Sequence, residues 1–201
     1  MVYKRYQQPE AKSVLILIAI NIIFLIALLV KDNLYLTLGL QSATWYKEPW
    51  TLVTSLFVHD FPWHIIFNML TLYFLGSYLC NMIGDARFCA VYFVGGIVGN
   101  LFYILIEHLL GHGNSLAFGA SGAIFAVAGA FTILAPKMKV VVFPIPVPMP
   151  LWVAIIGGFL LLTGLAFAVD NSIGWQAHTG GLLTGLIAGY ILKKRRKYIL
   201  L

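Results

Sequence analysis

Six apolar runs divide the chain, at roughly residues 13–30, 64–83, 87–110, 119–135, 151–169 and 174–192. Crossing a bilayer takes about 20 apolar residues as a helix, and irregular backbone cannot face hydrocarbon. The pattern therefore predicts an all-α membrane protein, a six-transmembrane-helix bundle over residues 13–192. A cytoplasmic N-terminal segment, 1–12, and a basic cytoplasmic tail, 193–201, flank it. The fourth run is short and rich in Gly and Ala, which suits the middle of a bundle where backbones approach closely. Runs two and three are joined by a tight turn at Gly84-Asp85. Runs four and five are joined by a stretch with Pro144, Pro146, Pro148 and Pro150, which cannot be helical and is expected to be extended.

The first outer connection, 31–63, is long and carries Trp45, Tyr46, Trp50, Phe57, Phe61 and Trp63. So many aromatics predict a segment partly sunk in the interface, where Trp and Tyr concentrate. The plainer alternative is a loop folded over the bundle. The first run follows Lys4, Arg5 and Lys12, the charge order of a signal peptide. It is too long for that, no small-residue cleavage site follows, and it reads as a retained span.

Composition agrees: 61% of the 201 residues are hydrophobic and 10% charged, against about half and a quarter in soluble domains. Net charge is +6, and its placement sets the orientation. With both termini cytoplasmic, eleven Lys and Arg lie inside and only Lys31 and Lys47 outside, the bias that fixes topology. The basic run 193–197 directly follows a span, so it is read as an anchor meeting anionic lipid and not as a nucleic-acid site. Cys80 and Cys89 provide no disulfide framework, and packing is their default role. An expected plasma-membrane location in a prokaryotic cell follows from seeing neither a transit peptide nor a soluble domain.

Runs two, four and six all start on the outer side, and near those starts lie His64 and Asn68, Ser121, and His178. At 1.5 Å per residue each falls within roughly 10 Å of the outer end of its helix. His64 and Asn68, four apart, share a helix face. Ser121 opens its helix, where unpaired N–H groups and the dipole favour an oxyanion, and Gly119 and Gly122 leave room for a substrate backbone. Gly174, Gly181, Gly185 and Gly189 share a stripe with His178 that would press this helix onto the fourth and carry His178 toward Ser121. Taken singly, the plain readings are a packing serine, an interfacial His64 and an Asn68 bonded to a neighbouring helix. An ionisable group inside a span is more often functional. Zinc held by His59, His64 and His178 is the rival chemistry. No carboxylate or thiolate stands in that layer inside the spans, no HExxH motif occurs, and Glu107, His108 and His112 are expected at the interface. Neither metal nor other cofactor is expected.

These motifs resemble the rhomboid intramembrane serine proteases over nearly the whole chain. His64-Ile65-Ile66-Phe67-Asn68 matches HxxxN, Gly119-Ala120-Ser121-Gly122 matches GxSG, and within Gly174 to Gly181 the run Ala177-His178-Thr179-Gly180-Gly181 matches the AHxxG of the GxxxAHxxG element. The resemblance implies a dyad with Ser121 as nucleophile and His178 as base. It further implies an oxyanion hole of His64, Asn68 and the Ser121 N–H. It implies transmembrane protein substrates in a lipid bilayer, admitted sideways past span five near Asp170-Asn171. Two departures stand out. Thr51 follows Trp50 where many members have arginine, and Phe125 replaces a tyrosine that packs on the histidine. A catalytically silent protein of the same fold that binds membrane clients is the alternative, and a small transporter comes third. Oligomeric state is left open.

Overall fold

The computed structural model describes residues 11–31, 33–111, 115–142, 145–168 and 174–199. Lys4, Arg5, His112, Pro144, Asp170 and Asn171 lie outside them, so the expectations resting on those residues are not addressed by the fold. Helix α1 spans Lys12–Val30 and buries only Val14, Leu17, Asn21 and Leu28. That narrow stripe faces the bundle; Ile16, Ile23 and Leu29 are exposed on the other side. An apolar surface of this extent needs an apolar solvent.

The first loop is structured. It comprises helix α2 (Leu34–Leu38), strand β1 (Leu40–Gln41), helix α3 (Thr51–Thr54) and a 3₁₀ turn at Ser55–Phe57. Strand β1 pairs antiparallel with β2 (Leu116–Ala117), Leu40 opposite Ala117, which ties this loop to the segment leading into Ser121. The Thr54 hydroxyl donates to the Leu38 carbonyl at 2.8 Å and the Trp50 indole to that of Thr37 at 3.2 Å. Tyr46, Trp50, Phe61 and Trp63 are exposed, whereas Phe57 is buried in the core. Phe57 thus departs from the interfacial expectation: its ring packs 5.3 Å from Phe24 and 6.4 Å from Phe93.

Helix α4 (Pro62–Thr71) continues through a π segment (Leu72–Gly76) into α5 (Ser77–Ile83). Gly84, at φ +85°, then reverses the chain into α6 (Asp85–Leu109). Cys80 is buried and its thiol donates to Asp85 at 3.3 Å; both cysteines are free. Helix α7 (Ser121–Leu134) is the centre, burying Gly122, Ala123, Ile124 and the run from Ala126 to Phe131.

The proline-rich connection is an antiparallel hairpin, β3 (Lys139–Val142) with β4 (Ile145–Pro150). The Leu151 N–H donates to the Met138 carbonyl at its base, so the N–H positions on β4 that point away from β3 are those filled by Pro146, Pro148 and Pro150. Helix α8 (Leu151–Ala168) follows. Helix α9 (Trp175–Ile199) runs on through the basic segment expected as a separate tail.

Among the described residues three helices are long and apolar enough to cross a membrane: α1, Pro62–Ile83 and α6. Helices α7 and α8 are apolar but shorter over their described lengths. Helices α7 and α9 are in backbone contact. A Cβ at Gly181 would fall 2.0 Å from the Gly122 carbonyl oxygen, and one at Gly185 2.0 Å from that of Ala126. Among the described residues Gly174 does not join this contact, since a Cβ there would meet only Ala177 of them, at 4.0 Å. It precedes α9, and a stripe read by helical spacing has no meaning before the helix starts.

Candidate active site

Ser121 is the first residue of α7 and His178 lies in the first turn of α9. The α7–α9 contact sets these two turns against each other: a Cβ at Gly122 would lie 3.3 Å from the Ala177 carbonyl oxygen. Ser121 Oγ is 2.7 Å from His178 Nε2. His178 is buried, and its Nδ1 has no protein hydrogen-bond partner among the described residues. With Nε2 accepting the serine hydroxyl, Nδ1 carries the ring hydrogen. Phe125 packs on the imidazole with ring centroids 4.8 Å apart and meets Phe159 of α8 edge-on at 5.8 Å. The ring of the missing tyrosine is kept and its hydroxyl is lost.

The turn before Ser121 is pinned from the first loop. The Gly119 N–H donates to the Ser55 carbonyl at 2.9 Å, and the Ala120 N–H to His59 Nε2 at 3.4 Å. Asn100 of α6 secures that anchor by donating to Ser55 Oγ and to the Leu52 carbonyl, both at 2.9 Å. Gly119 sits at φ +117°, which a side-chain-bearing residue rarely adopts. A Cβ there would lie 2.7 Å from His64 Nε2 and 3.8 Å from Ser121 Oγ. Glycine therefore keeps open a small space between the nucleophile and the His64 ring.

His64 Nδ1 lies 2.7 Å from Asp60 Oδ1. Asn68 is buried and spends one amide hydrogen on the carbonyl of His64 itself, at 2.8 Å. Its side chain thus bonds its own helix, and the other amide hydrogen remains for a ligand. His59, grouped with His64 and His178 as a zinc alternative, instead accepts a backbone N–H through Nε2. Burial first, then the neighbouring His64 charge, lowers it to about 3. It is a neutral strut. Among the described residues no group of three or more His, Cys, Asp or Glu is arranged to hold a metal ion.

Thr51, at the position where many members carry arginine, is buried and donates to the Glu48 carbonyl at 2.6 Å. Glu107 corrects the expectation that no carboxylate stands in this layer: it is buried among protein groups, and His108 beside it is exposed. Gln176 donates to Glu107 Oε1 at 2.7 Å and the Ser115 hydroxyl donates to Oε2. A carboxylate does stand inside the bundle, tying α6 to the first turn of α9 two residues before His178. Sequence reasoning missed Asp60, Asn100, Glu107 and Gln176. Asp60 had a signal, since it precedes His64 by four; the others join distant segments and left none.

The Rhomboid domain family model matches residues 46–195. The chain is 35% identical over 147 residues to "Rhomboid protein 1, mitochondrial" of Saccharomyces cerevisiae, covering 72% of this chain and 42% of that protein. It is 30% identical over 171 residues to "Putative rhomboid protease YdcA" of Bacillus subtilis, covering 80% and 75%. It is also 30% identical over 145 residues to "Rhomboid protease GluP" of Bacillus subtilis, covering 72% of this chain and 26% of that protein. The chain therefore spans less than half of the yeast protein and about a quarter of GluP. A domain match over three quarters of the chain, on a helical bundle with membrane-length apolar helices, makes it an integral membrane protein of the rhomboid family.

Proposed function

We propose that the protein is an intramembrane serine endopeptidase that cleaves single-span membrane proteins in or near the outer leaflet. Six helices cross: α1, Pro62–Ile83, α6, α7, α8 and α9, with both termini in the cytoplasm of a cell whose plasma membrane holds the protein. Helix α7 has 14 residues, about 21 Å of rise in a hydrocarbon layer of about 30 Å. With its inner end at the cytoplasmic boundary, Ser121 sits below the outer surface, where a scissile bond of a membrane segment would lie.

The single observation that carries this reading is the 2.7 Å approach of Ser121 Oγ to His178 Nε2. His178 takes the hydroxyl proton as Oγ attacks the scissile carbonyl, then gives that proton to the departing amine. The resulting acyl-enzyme is hydrolysed by water, with His178 again as base. The tetrahedral oxyanion occupies the space beside Gly119, within reach of His64 Nε2, the Ser121 N–H and the second Asn68 amide hydrogen. Gly119 and Gly122 leave that space and the approach to it open. Phe125 holds the imidazole plane where the hydroxyl of a tyrosine is absent.

The test separates an enzyme from a silent client-binding relative of the same fold. A fluorophosphonate probe should label the wild-type protein at Ser121. Labelling should vanish in Ser121→Ala and fall by at least about a thousandfold in His178→Ala. Equal labelling of all three proteins would remove the dyad.

A further inference from the structure

We propose that Asp60 is the positioning residue of the oxyanion donor: its carboxylate holds the His64 ring so that Nε2 faces the space between Gly119 and Ser121 Oγ. This rests on the proposed hydrolysis and names a part of it that no motif contains.

The need for such a residue follows from the histidine side chain. Its outer torsion is soft and nearly two-fold. A half-turn of the ring exchanges Nδ1 with Cδ2 and Nε2 with Cε1, which would point carbon at the oxyanion. Most of what surrounds His64 cannot tell these two states apart. His59 meets it edge-on at 4.8 Å, and Phe61 and Phe118 lie at 5.3 and 6.2 Å. Stacked rings fix a plane and not the identity of an edge.

Asp60 breaks the degeneracy. Its Oδ1 is 2.7 Å from Nδ1, and a carboxylate only accepts, so this contact exists only with a nitrogen, bearing hydrogen, on that side. The ring is then fixed end to end. Nδ1 points to Asp60, and Nε2 points to the point 2.7 Å away that a Cβ on Gly119 would fill; both nitrogens donate only in the imidazolium form, which is the form that serves the oxyanion and whose charge faces the Asp60 carboxylate. Asp60 is itself held at the start of α4, one residue before the cap Phe61 and two before Pro62 at the first helical position. Proline there pre-sets the helical turn, and the α4 dipole favours the negative charge beside it. Both partners of the pair are partly exposed, and exposed ion pairs contribute little to stability. The contact is better placed to aim a donor than to hold the fold.

The experiment uses the full chain in liposomes with a single-span substrate. Asp60→Ala should lower kcat about tenfold with KM unchanged, since a misaimed oxyanion donor is felt only in the transition state. The thermal midpoint should stay within about two degrees of wild type, as for a surface pair. Asp60→Glu, which keeps an acceptor-only carboxylate, should recover most of the loss. In a His64→Ala background Asp60→Ala should cost nothing further, because the two act through one ring. Equal losses with and without His64, or wild-type kcat in Asp60→Ala, would overturn the proposal. Should Asp60→Ala not fold, Asp60→Asn decides: its amide presents a donor as well as an acceptor, and wild-type kcat there would overturn it equally. Cleavage by Ser121→Ala would instead strike the hydrolase reading itself, whatever Asp60 does.

Discussion

At Gly119 the backbone turns through φ +117° just where the chain must present Ser121 and leave space beside it. Alanine there is penalised twice, by a backbone conformation costing about 1–3 kcal/mol and by a methyl group 2.7 Å from His64 Nε2. Gly119→Ala should therefore slow probe labelling of Ser121 by at least about tenfold, with a lowered thermal midpoint; labelling at the wild-type rate would show that the space is not used. His59 makes a different prediction. Burial, and then the His64 charge, holds it at about 3, below the roughly 6.5 of an unfolded chain. Because the folded value is the lower one, its contribution is complete above about pH 6.5 and is lost as pH falls toward 3. His59→Gln retains an acceptor for the Ala120 N–H and does not titrate. Its melting temperature should fall less steeply than wild type over that window, and parallel slopes would contradict the strut.

Between elements, membrane helices gain little from hiding apolar surface and must gain from fit. The α7–α9 seam, with Gly181 and Gly185 against carbonyl oxygens, is where fit is tightest. Helix α8 is the contrast: a Cβ at Gly157 or Gly158 would meet nothing within 4 Å among the described residues. Gly185→Val should cost at least about 3 kcal/mol or prevent folding. Gly158→Ala should be neutral or raise stability by up to about 1 kcal/mol through helix propensity. Thermal melts in detergent compare the two, and similar effects would show that the seam does not hold the bundle. Gly181, Gly185 and Gly189 were legible because close packing demands glycine at helical spacing. Gly174 continued that spacing past the helix and misled. Phe57 and Glu107 were illegible for another reason: each is buried by partners from distant segments, Phe24 and Phe93 for one and Gln176 and Ser115 for the other. Local polarity said only that a loop aromatic and a helix-end carboxylate belong at a surface. The prolines announced extended chain at 145–150, but the pairing of β4 with β3 is a contact between strands and had no local mark.

For the molecule as a whole, topology does what no single motif could. In the proposed topology Ser121, His178, His64 and Asn68 come from three helices whose starts share one side, and alternation of apolar runs suffices to place them in one layer. Their places near the helix starts were readable from the sequence; the rotation of each helix was not, and so Asp60 and the bond from Asn68 to its own helix went unseen. The orientation has its own check. With Cys80 and Cys89 replaced by alanine, a membrane-impermeant maleimide should label Lys47→Cys in intact cells, and Lys137→Cys only after the membrane is opened; the reverse would invert the site. The most direct trial of the whole account is cleavage of a tagged single-span substrate by the purified protein in liposomes. The wild type should release a fragment cut near the outer boundary of the substrate's membrane segment, and neither Ser121→Ala nor His178→Ala should release it. Undiminished release by either variant would contradict the account at its centre.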